Sequence, residues 1–558
     1  MKGSRMNLVL AALILLGATV IGRLFFLQVL QGGYYRALAQ GQQKFFSPVS
    51  GERGEIFFSG GQILATNYQR QFVYVSPREV KEKEKAEKAL SQILDIPPEM
   101  VREKLNQDSL YQLVKNKVTD EEAERLQRLE ITGVYIGQER VRTFPQQTLG
   151  SQTVGFVDSE KQGQYGLEGF YQDVLSGQEG MIEGERGVGG LLISFSPSQT
   201  EKGRNLVLTL DYPIQFEAER LLAEAQKGLQ FESGTIIVLR PDSGEILALA
   251  NYPGFDPNNY EQEKDLKIFQ NPASQKIFEP GSVFKAITLA ATIEEGKVTP
   301  QTTYVDAGVV RIGRTPIYNY DRRTWGQRTM TEVLEKSINT GAVFAEQQLG
   351  SNLFLKYLEK FGFFEKTNID LQGEVFSQNQ EFKKGYEINF ATAAFGQGIE
   401  ITPLQLVRAF SALANGGKLV KPHLVKEIID QNGQSQKISP EITDNIISPR
   451  TSSQIVSMLT SVVENGYGKK AKVPGYFVAG KTGTAQVSWG ALGIDKPGYS
   501  DQTIQSFIGF APAFNPKFLI LVKLDNPQTK TAEYSAIPIF HDLAKYIIDA
   551  WQIPPDYQ

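Results

Sequence analysis

At 558 residues with a net charge of −4, the chain is long enough for two or three domains and at least one large core, and it offers no basic footprint for nucleic acid. It has no cysteine and only two histidines, His423 and His541, which excludes disulfides and cysteine-ligated zinc. A Ser-His-Asp triad or a zinc peptidase needs residues that this chain mostly lacks, so a serine enzyme built on it takes lysine as its base.

In chain order, the first predicted element is a membrane helix. Residues 6–22 carry no charge, and residues 8–16 are almost wholly aliphatic. A helix of that length spans ~25 Å, slightly short of the ~30 Å hydrocarbon core. The apolar pattern resumes after Arg23 with Leu24-Phe25-Phe26-Leu27, and Arg23 is placed to snorkel or to face a partner helix. Lys2 and Arg5 before the run predict a cytoplasmic N-terminus. A cleaved signal peptide is the competing reading, since Ala37-Leu38-Ala39 has the form of a cleavage site. It lies too far beyond the apolar run, which favours an uncleaved anchor over residues 1–31.

Residues 32–204 read as a non-catalytic pedestal. Phe72-Val73-Tyr74-Val75 is strand-like, residues 81–88 are nearly all Lys and Glu and read as a solvated helix face, and residues 184–190 read as a flexible glycine-rich connection. No chemistry suggests itself in this region.

From residue 205 to 558 the pattern tightens. Residues 206–210 predict a strand and 211–226 a helix. Residues 235–239 and 246–250 predict two strands joined by a hairpin at Arg240-Pro-Asp-Ser-Gly244. Helical sequence fills residues 282–413. Strands follow at 476–487, 504–510 and 518–524, and an amphipathic helix at 537–551. Strands at both ends with helices between predict an α+β domain on an antiparallel sheet flanked by helices.

Three short motifs lie in this half. The first is Ser282-Val283-Phe284-Lys285. Residues three apart are neighbours on a helix, so a hydroxyl and an amine share one face. Residues 283–293 are apolar nearly all round, as in a buried helix. Ser282 suits the N-cap, and a capping role alone accounts for it. It does not account for Lys285, because a lysine on a buried helix is costly without a partner or a task. Burial and a nearby cation lower a lysine pKa, which makes Lys285 a candidate base and Ser282 a candidate nucleophile toward a carbonyl carbon.

The second motif, Ser337-Ile338-Asn339, adds a hydroxyl able to pass a proton to a leaving amine and an amide able to hold Lys285 or the substrate. Taken alone it reads equally well as a polar helix end with Thr340-Gly341 as its stop. A decoy, Ser377-Gln378-Asn379, sits in polar sequence without helical pattern. The third, Lys481-Thr482-Gly483-Thr484, predicts an exposed strand edge. Gly480 and Gly483 leave room for another backbone, so a peptide substrate is placed to add as a further strand. Lys481, Thr482 and Thr484 suit a terminal carboxylate, and the Ser282 and Thr484 N–H groups suit an oxyanion. Residues 475–482 also satisfy the phosphate-loop pattern G-x-x-x-x-G-K-[ST]. That loop needs a helix after its Thr, and Gly-Thr-Ala-Gln-Val-Ser-Trp-Gly is a poor one.

Each motif is weak alone: Ser-x-x-Lys is expected by chance about once in a chain of this size. Together, in this order, they are the signature of penicillin-binding proteins and class A β-lactamases. The chain resembles a class B penicillin-binding protein, the monofunctional peptidoglycan D,D-transpeptidases, from anchor to C-terminus. Arg53-Gly54-Glu55-Ile56 and Gly166-Leu167-Glu168 are similar to the family's pedestal motifs. Asp256-Pro257-Asn258 and Glu279-Pro280-Gly281-Ser282 match its catalytic half. Phe395-Gly396-Gln397-Gly398-Ile399 and residues 478–486 look like the division and sporulation branch. Phe58 and Ser59 stand where the family usually carries an acidic and a basic residue.

The resemblance implies cross-linking of stem peptides from a D-Ala-D-Ala donor during septal wall synthesis, and acylation by β-lactams. It implies a SEDS-type glycosyltransferase and other divisome membrane proteins as partners, no metal or cofactor, and a catalytic domain exposed outside the plasma membrane. It assigns catalysis to Ser282, Lys285, Ser337, Asn339 and Lys481, and substrate binding to Thr482, Gly483 and Thr484. A β-lactam sensor or β-lactamase shares the motifs, and a non-catalytic divisome scaffold is the remote alternative.

Overall fold

The computed structural model describes residues 2–31, 44–49, 51–177, 180–186, 192–197 and 201–557. The chain forms two compact units, one from residues 1–54 and 176–204, the other from 55–175 and 205–558.

The first unit holds the apolar helix Lys2–Phe25, continued by a π-helical turn over Phe26–Leu30. The helix runs through Arg23, so the apolar segment long enough to cross a membrane is Val9–Leu30, 22 residues, none of it buried. Arg23 lies over the Phe26 ring at 5.6 Å. The Ala37-Leu38-Ala39 sequence lies outside the described residues. Lys44–Val49, Gly180–Arg186 and Leu192–Pro197 form an antiparallel three-stranded sheet in that order. The glycine-rich stretch therefore begins inside a strand at Gly184, and its residues 187–190 lie outside the described residues.

The second unit carries two large sheets. One has seven strands, drawn from residues 56–75, 112–118, 134–143, 205–208 and 425–437. Its long strand Ile63–Val75 includes the expected residues 72–75. The Lys/Glu-rich segment forms helix Lys83–Leu94, which buries Ala86, Leu90 and Leu94 and leaves its charges outward. The strand expected at 206–210 is Asn205–Leu208, and it pairs parallel with Ile56–Phe57 in this sheet. Phe58 is fully buried, edge-on to Tyr212 with ring centroids 5.2 Å apart. An aromatic contact thus stands where the family usually carries charge.

The other sheet is antiparallel: β1 Ser233–Leu239, β2 Ile246–Tyr252, β3 Ala479–Ser488, β4 Tyr499–Ala511 and β5 Phe518–Asp525, in the order β2-β1-β5-β4-β3. The β1–β2 hairpin turns where expected. Gly244 has φ +83, and a Cβ there would meet the Lys421 carbonyl at 2.3 Å. Tyr476-Phe477-Val478 lies before β3 rather than in it.

The main helices of this half are α1 Tyr212–Leu229, α2 Lys285–Glu294, α3 Met330–Glu335, α4 Asn339–Leu349, α5 Pro403–Ala414, α6 Pro449–Asn465 and α7 Ala536–Ala550. One core joins α1 and α7 to Phe507, Ile520 and Val522, with Phe540 of α7 packed on Phe507. The other core joins α2, α5 and α6 to Ile237, Leu249, Ile508 and Leu521. The starts of α1, α5 and α6 follow local chemistry: Asp211, Thr402 and Ser448 cap them, each with a proline in the first turn. The helix-rich middle also contains short paired strands, Thr303–Asp306 with Gly326–Thr329 and Val309–Ile312 with Thr315–Tyr318. Periodicity did not announce them because each has four residues.

Gly166-Leu167-Glu168 has a plain physical role. Arg142 reaches Glu168 at 2.7 Å, and the two side chains are 4% and 0% exposed. Removing one partner of such a buried pair costs about 3–5 kcal/mol. Glu168→Ala should lower unfolding stability by about that amount in denaturant titration of the detergent-solubilised protein. Glu124→Ala, which breaks the exposed Arg128–Glu124 pair, should cost less than about 1 kcal/mol. Equal costs for the two would contradict this account.

Candidate active site

The structure brings the three motifs into one cavity. Ser282 lies in a 3-10 turn, Gly281–Phe284, that runs into α2. It makes no capping bond there, so capping does not account for it. Lys285 begins α2 with its side chain fully buried. Ser337 occupies the turn between α3 and α4 with φ +55, a left-handed conformation that costs a non-glycine residue energy. Asn339 opens α4, and Thr340-Gly341 lie inside that helix. The expected helix stop is therefore a helix start. Lys481 is on β3, the sheet edge as predicted, but it is fully buried. β3 continues straight through Lys481 and Thr482, which rules out a phosphate loop.

Lys285 Nζ is the hub. It lies 2.9 Å from Ser282 Oγ, 2.7 Å from the Ser337 carbonyl oxygen, 3.2 Å from Ser337 Oγ and 2.7 Å from Asn339 Oδ1. The two shortest partners are carbonyl-type oxygens and can only accept. They occupy both N–H bonds of a neutral amine, and the remaining lone pair faces hydroxyls, the only neighbours able to donate to it. Burial first, and the Lys481 cation second, hold the Lys285 amine well below the ordinary lysine range. Lys481 Nζ donates to Ser337 Oγ at 3.0 Å and to the Thr482 carbonyl and hydroxyl at 3.1 and 3.2 Å. Burial brings its pKa down to about 7. Ser337 Oγ thus stands between two amines and can relay a proton among Ser282, the cavity and an incoming group.

Glycines let the walls meet. Gly281 donates its N–H to Gly396 O at 2.9 Å, and a Cβ on Gly396 would lie 2.2 Å from the Gly281 carbonyl oxygen. A Cβ on Gly483 would lie 3.0 Å from Val283 and 2.4 Å from Ser506 Oγ. The room at Gly483 is filled by the chain's own serine turn and β4, not left for a foreign backbone. Thr482 and Thr484 are partly exposed on β3, and a Cβ on Gly281 would sit 3.3 Å from the Thr484 carbonyl oxygen. Ser282 and Thr484 are therefore near neighbours.

One participant carried no sequence signal of its own: Tyr318, whose carbonyl accepts from Asn339 Nδ2 at 3.0 Å; the other, the Gly396 carbonyl, belongs to the motif at residues 395–399. Both act through backbone atoms, which any residue supplies. The decoy Asn379 is tied to Ser377 and Glu400 instead. His541 lies in α7, and His423 lies beside the β1–β2 hairpin. Among the described residues no group of acids and histidines is arranged to hold a metal.

Residues 234–545 match the penicillin binding protein transpeptidase domain, and residues 48–208 match the penicillin-binding protein dimerisation domain. Stage V sporulation protein D of Bacillus subtilis is 34% identical over 517 residues, covering 91% of this chain and 79% of that protein. The peptidoglycan D,D-transpeptidase FtsI homolog of Mesostigma viride is 28% identical, covering 96% of this chain and 94% of that one. The crystal structure of penicillin binding protein 3 from Mycobacterium tuberculosis complexed with aztreonam superposes with a TM-score of 0.70 at 26% identity, covering 91% of this chain and 98% of that one.

If Lys285 is the base, reactivity of Ser282 toward an acylating probe rises as pH passes through the lowered Lys285 pKa and then levels. Lys481 contributes to that lowering. Lys481→Ala should therefore raise the Lys285 pKa and move the rising limb to higher pH. Rates of probe attachment across pH for both proteins would check this; a limb that stays in place or moves to lower pH would contradict it.

Proposed function

The chain belongs to the penicillin-binding protein transpeptidase family, class B and septal branch, and from that membership we propose how its residues carry the reaction. It is a serine-type peptidoglycan D,D-transpeptidase and a target of β-lactams. The observation that carries the residue assignment is the 2.9 Å contact between Ser282 Oγ and the buried Lys285 amine.

Neutral Lys285 takes the Ser282 proton as Oγ attacks the carbonyl carbon of the penultimate D-Ala. The Ser282 and Thr484 N–H groups receive the oxyanion. The terminal carboxylate rests on Lys481, Thr482 and Thr484, with Gly483 keeping β3 against the serine turn. Ser337 hands a proton to the departing D-Ala nitrogen and regains one from protonated Lys285, 3.2 Å away, which closes the acyl-enzyme step with Lys285 neutral again. An amine from a second stem peptide then attacks the ester. Its proton returns through Ser337 and Lys285 to Ser282, and the cross-link is released. Asn339 holds Lys285 in place. A β-lactam follows the first half and stops there, because its amine stays tethered in the site.

Residues 205–558 are the transpeptidase domain, 32–204 the pedestal and 1–31 the cytoplasmic tip and membrane anchor. Lys2 and Arg5 before the apolar run favour a cytoplasmic N-terminus, which puts the catalytic domain on the outer face of the plasma membrane. The substrate lies there, and so do the SEDS-type glycosyltransferase and divisome proteins that we assign as partners.

Fluorescent penicillin should form a long-lived adduct with the purified protein, and Ser282→Ala should abolish it without loss of fold. Labelling that persists in the variant would assign the nucleophile elsewhere. Rapid release of hydrolysed drug would favour a β-lactamase. The anchor makes a separate prediction. The mature protein should keep its N-terminus and need detergent, and Edman sequencing that begins at Gln40 would establish cleavage instead.

A further inference from the structure

Behind the Asn339 wall lies a buried carboxylate that no step of the reaction touches. Asp306 ends the strand Thr303–Asp306 and is 2% exposed. It accepts from the Gly308 N–H at 2.9 Å, the Trp325 N–H at 2.7 Å, the Thr340 hydroxyl at 2.7 Å and Asn319 Nδ2 at 3.0 and 2.9 Å. The first two bonds shape the loop between the short strands. The other three, from Thr340 and Asn319, reach the site.

Thr340 follows Asn339, and Asn319 follows Tyr318. Asn339 Nδ2 donates to the Tyr318 carbonyl at 3.0 Å, and the Thr340 N–H donates to Asn319 Oδ1 at 3.1 Å. Two adjacent residue pairs are thus stitched to each other twice, and Asp306 grips the second member of each. The unit leaves Asn339 one free acceptor, Oδ1, aimed at Lys285 at 2.7 Å. The amide orientation follows from the same network: with Nδ2 committed to a carbonyl, only the oxygen is left for the amine.

We propose that Asp306 is a positioning residue for the acyl transfer, acting through Asn319 and Thr340 to hold the Asn339 carbonyl oxygen on Lys285. A carboxylate suits the post because it accepts several bonds at once and donates none. An asparagine at 306 would turn a donor against Asn319 Nδ2. The proposal rests on the reading of Ser282 and Lys285 as nucleophile and base.

The test uses the full-length protein in detergent and a fluorescent penicillin, separating the binding constant from the first-order acylation rate. Asp306→Ala strands several buried donors at once and risks unfolding, so the informative variants are Asn319→Ala and Thr340→Val, with Thr340→Ser as the conservative control. Misplacing a reacting group by about 1 Å costs on the order of a hundredfold. Asn319→Ala and Thr340→Val should therefore slow acylation by about ten- to a hundredfold with the binding constant unchanged, and Thr340→Ser should recover most of the rate. In an Asn339→Ala background the same substitutions should add nothing, since the residue they act through is gone. Losses that add in that background, or a change in binding alone, would overturn the proposal. So would an unchanged acylation rate in both variants beside a normally labelled wild type. Failure of the wild type itself to label would instead refute the serine–lysine reading and this one with it.

Discussion

The site depends on one unfavourable arrangement: two lysine amines buried in one cavity, both fully enclosed. An ammonium removed from water without a counter-ion is costly enough that the group gives up its proton instead. The proposed mechanism uses that tendency. Lys285 has carbonyl oxygens of Ser337 and Asn339 as its nearest partners, and among the described residues no carboxylate hydrogen-bonds to it. A carboxylate would stabilise the ammonium and raise the pKa. Carbonyls orient a neutral amine and leave its lone pair for the Ser282 hydroxyl. The same burial that makes Lys285 expensive to charge holds its amine well below the ordinary lysine range, as a proposed base requires.

Such a cavity has to be closed by walls that cannot drift. The serine turn, the Gly396 turn and β3 come from three distant parts of the chain, and their contacts are at backbone distance. Gly281, Gly396 and Gly483 each lack a Cβ where one would strike another segment. The left-handed backbone at Ser337 belongs to the same economy. It turns the chain sharply between α3 and α4 so that one residue presents both its carbonyl and its hydroxyl to Lys285. The strain is held by packing on both sides, with Leu334 and Ile338 fully buried.

How much of this was legible in the sequence follows from which atoms do the work. Ser282, Lys285, Asn339 and Lys481 act through side chains, and side-chain spacing is what a sequence displays. The antiparallel sheet and α7 were legible because long apolar runs leave few alternatives. Tyr318 acts through its carbonyl and left no mark, and Gly396 was marked only by the motif at residues 395–399. The Thr340-Gly341 pair misled because a glycine after a polar turn usually ends a helix, whereas here Gly341 packs on Val333 as α4 begins: a Cβ would lie 2.4 Å from that side chain. The strand Asn205–Leu208 was found, but its partners Ile56–Phe57 and Val425–Ile429 lie far away in the chain. Pairing across such separations has no local signature. Phe58 is the opposite case, since an uncharged residue at a position usually charged in the family was visible, and its burial against Tyr212 explains it.

The two amines are also coupled to each other, since the Lys481 charge contributes to the lowered Lys285 pKa. Lys481, at a pKa of about 7, is divided between its forms near neutrality. A substrate carboxylate beside it favours the ammonium. That charge, in a cavity of low dielectric, acts on Lys285 by the repulsion that already lowers its pKa. In the proposed mechanism the carboxylate's own negative charge opposes that repulsion, so burial remains the main cause that keeps Lys285 able to accept the Ser282 proton. A ligand without the carboxylate loses its ion pair with Lys481. That ion pair speeds acylation to the extent that it tightens in the transition state, which is where an enzyme gains most from its contacts. Ser337, donating to or accepting from either amine, is the atom through which the two roles meet.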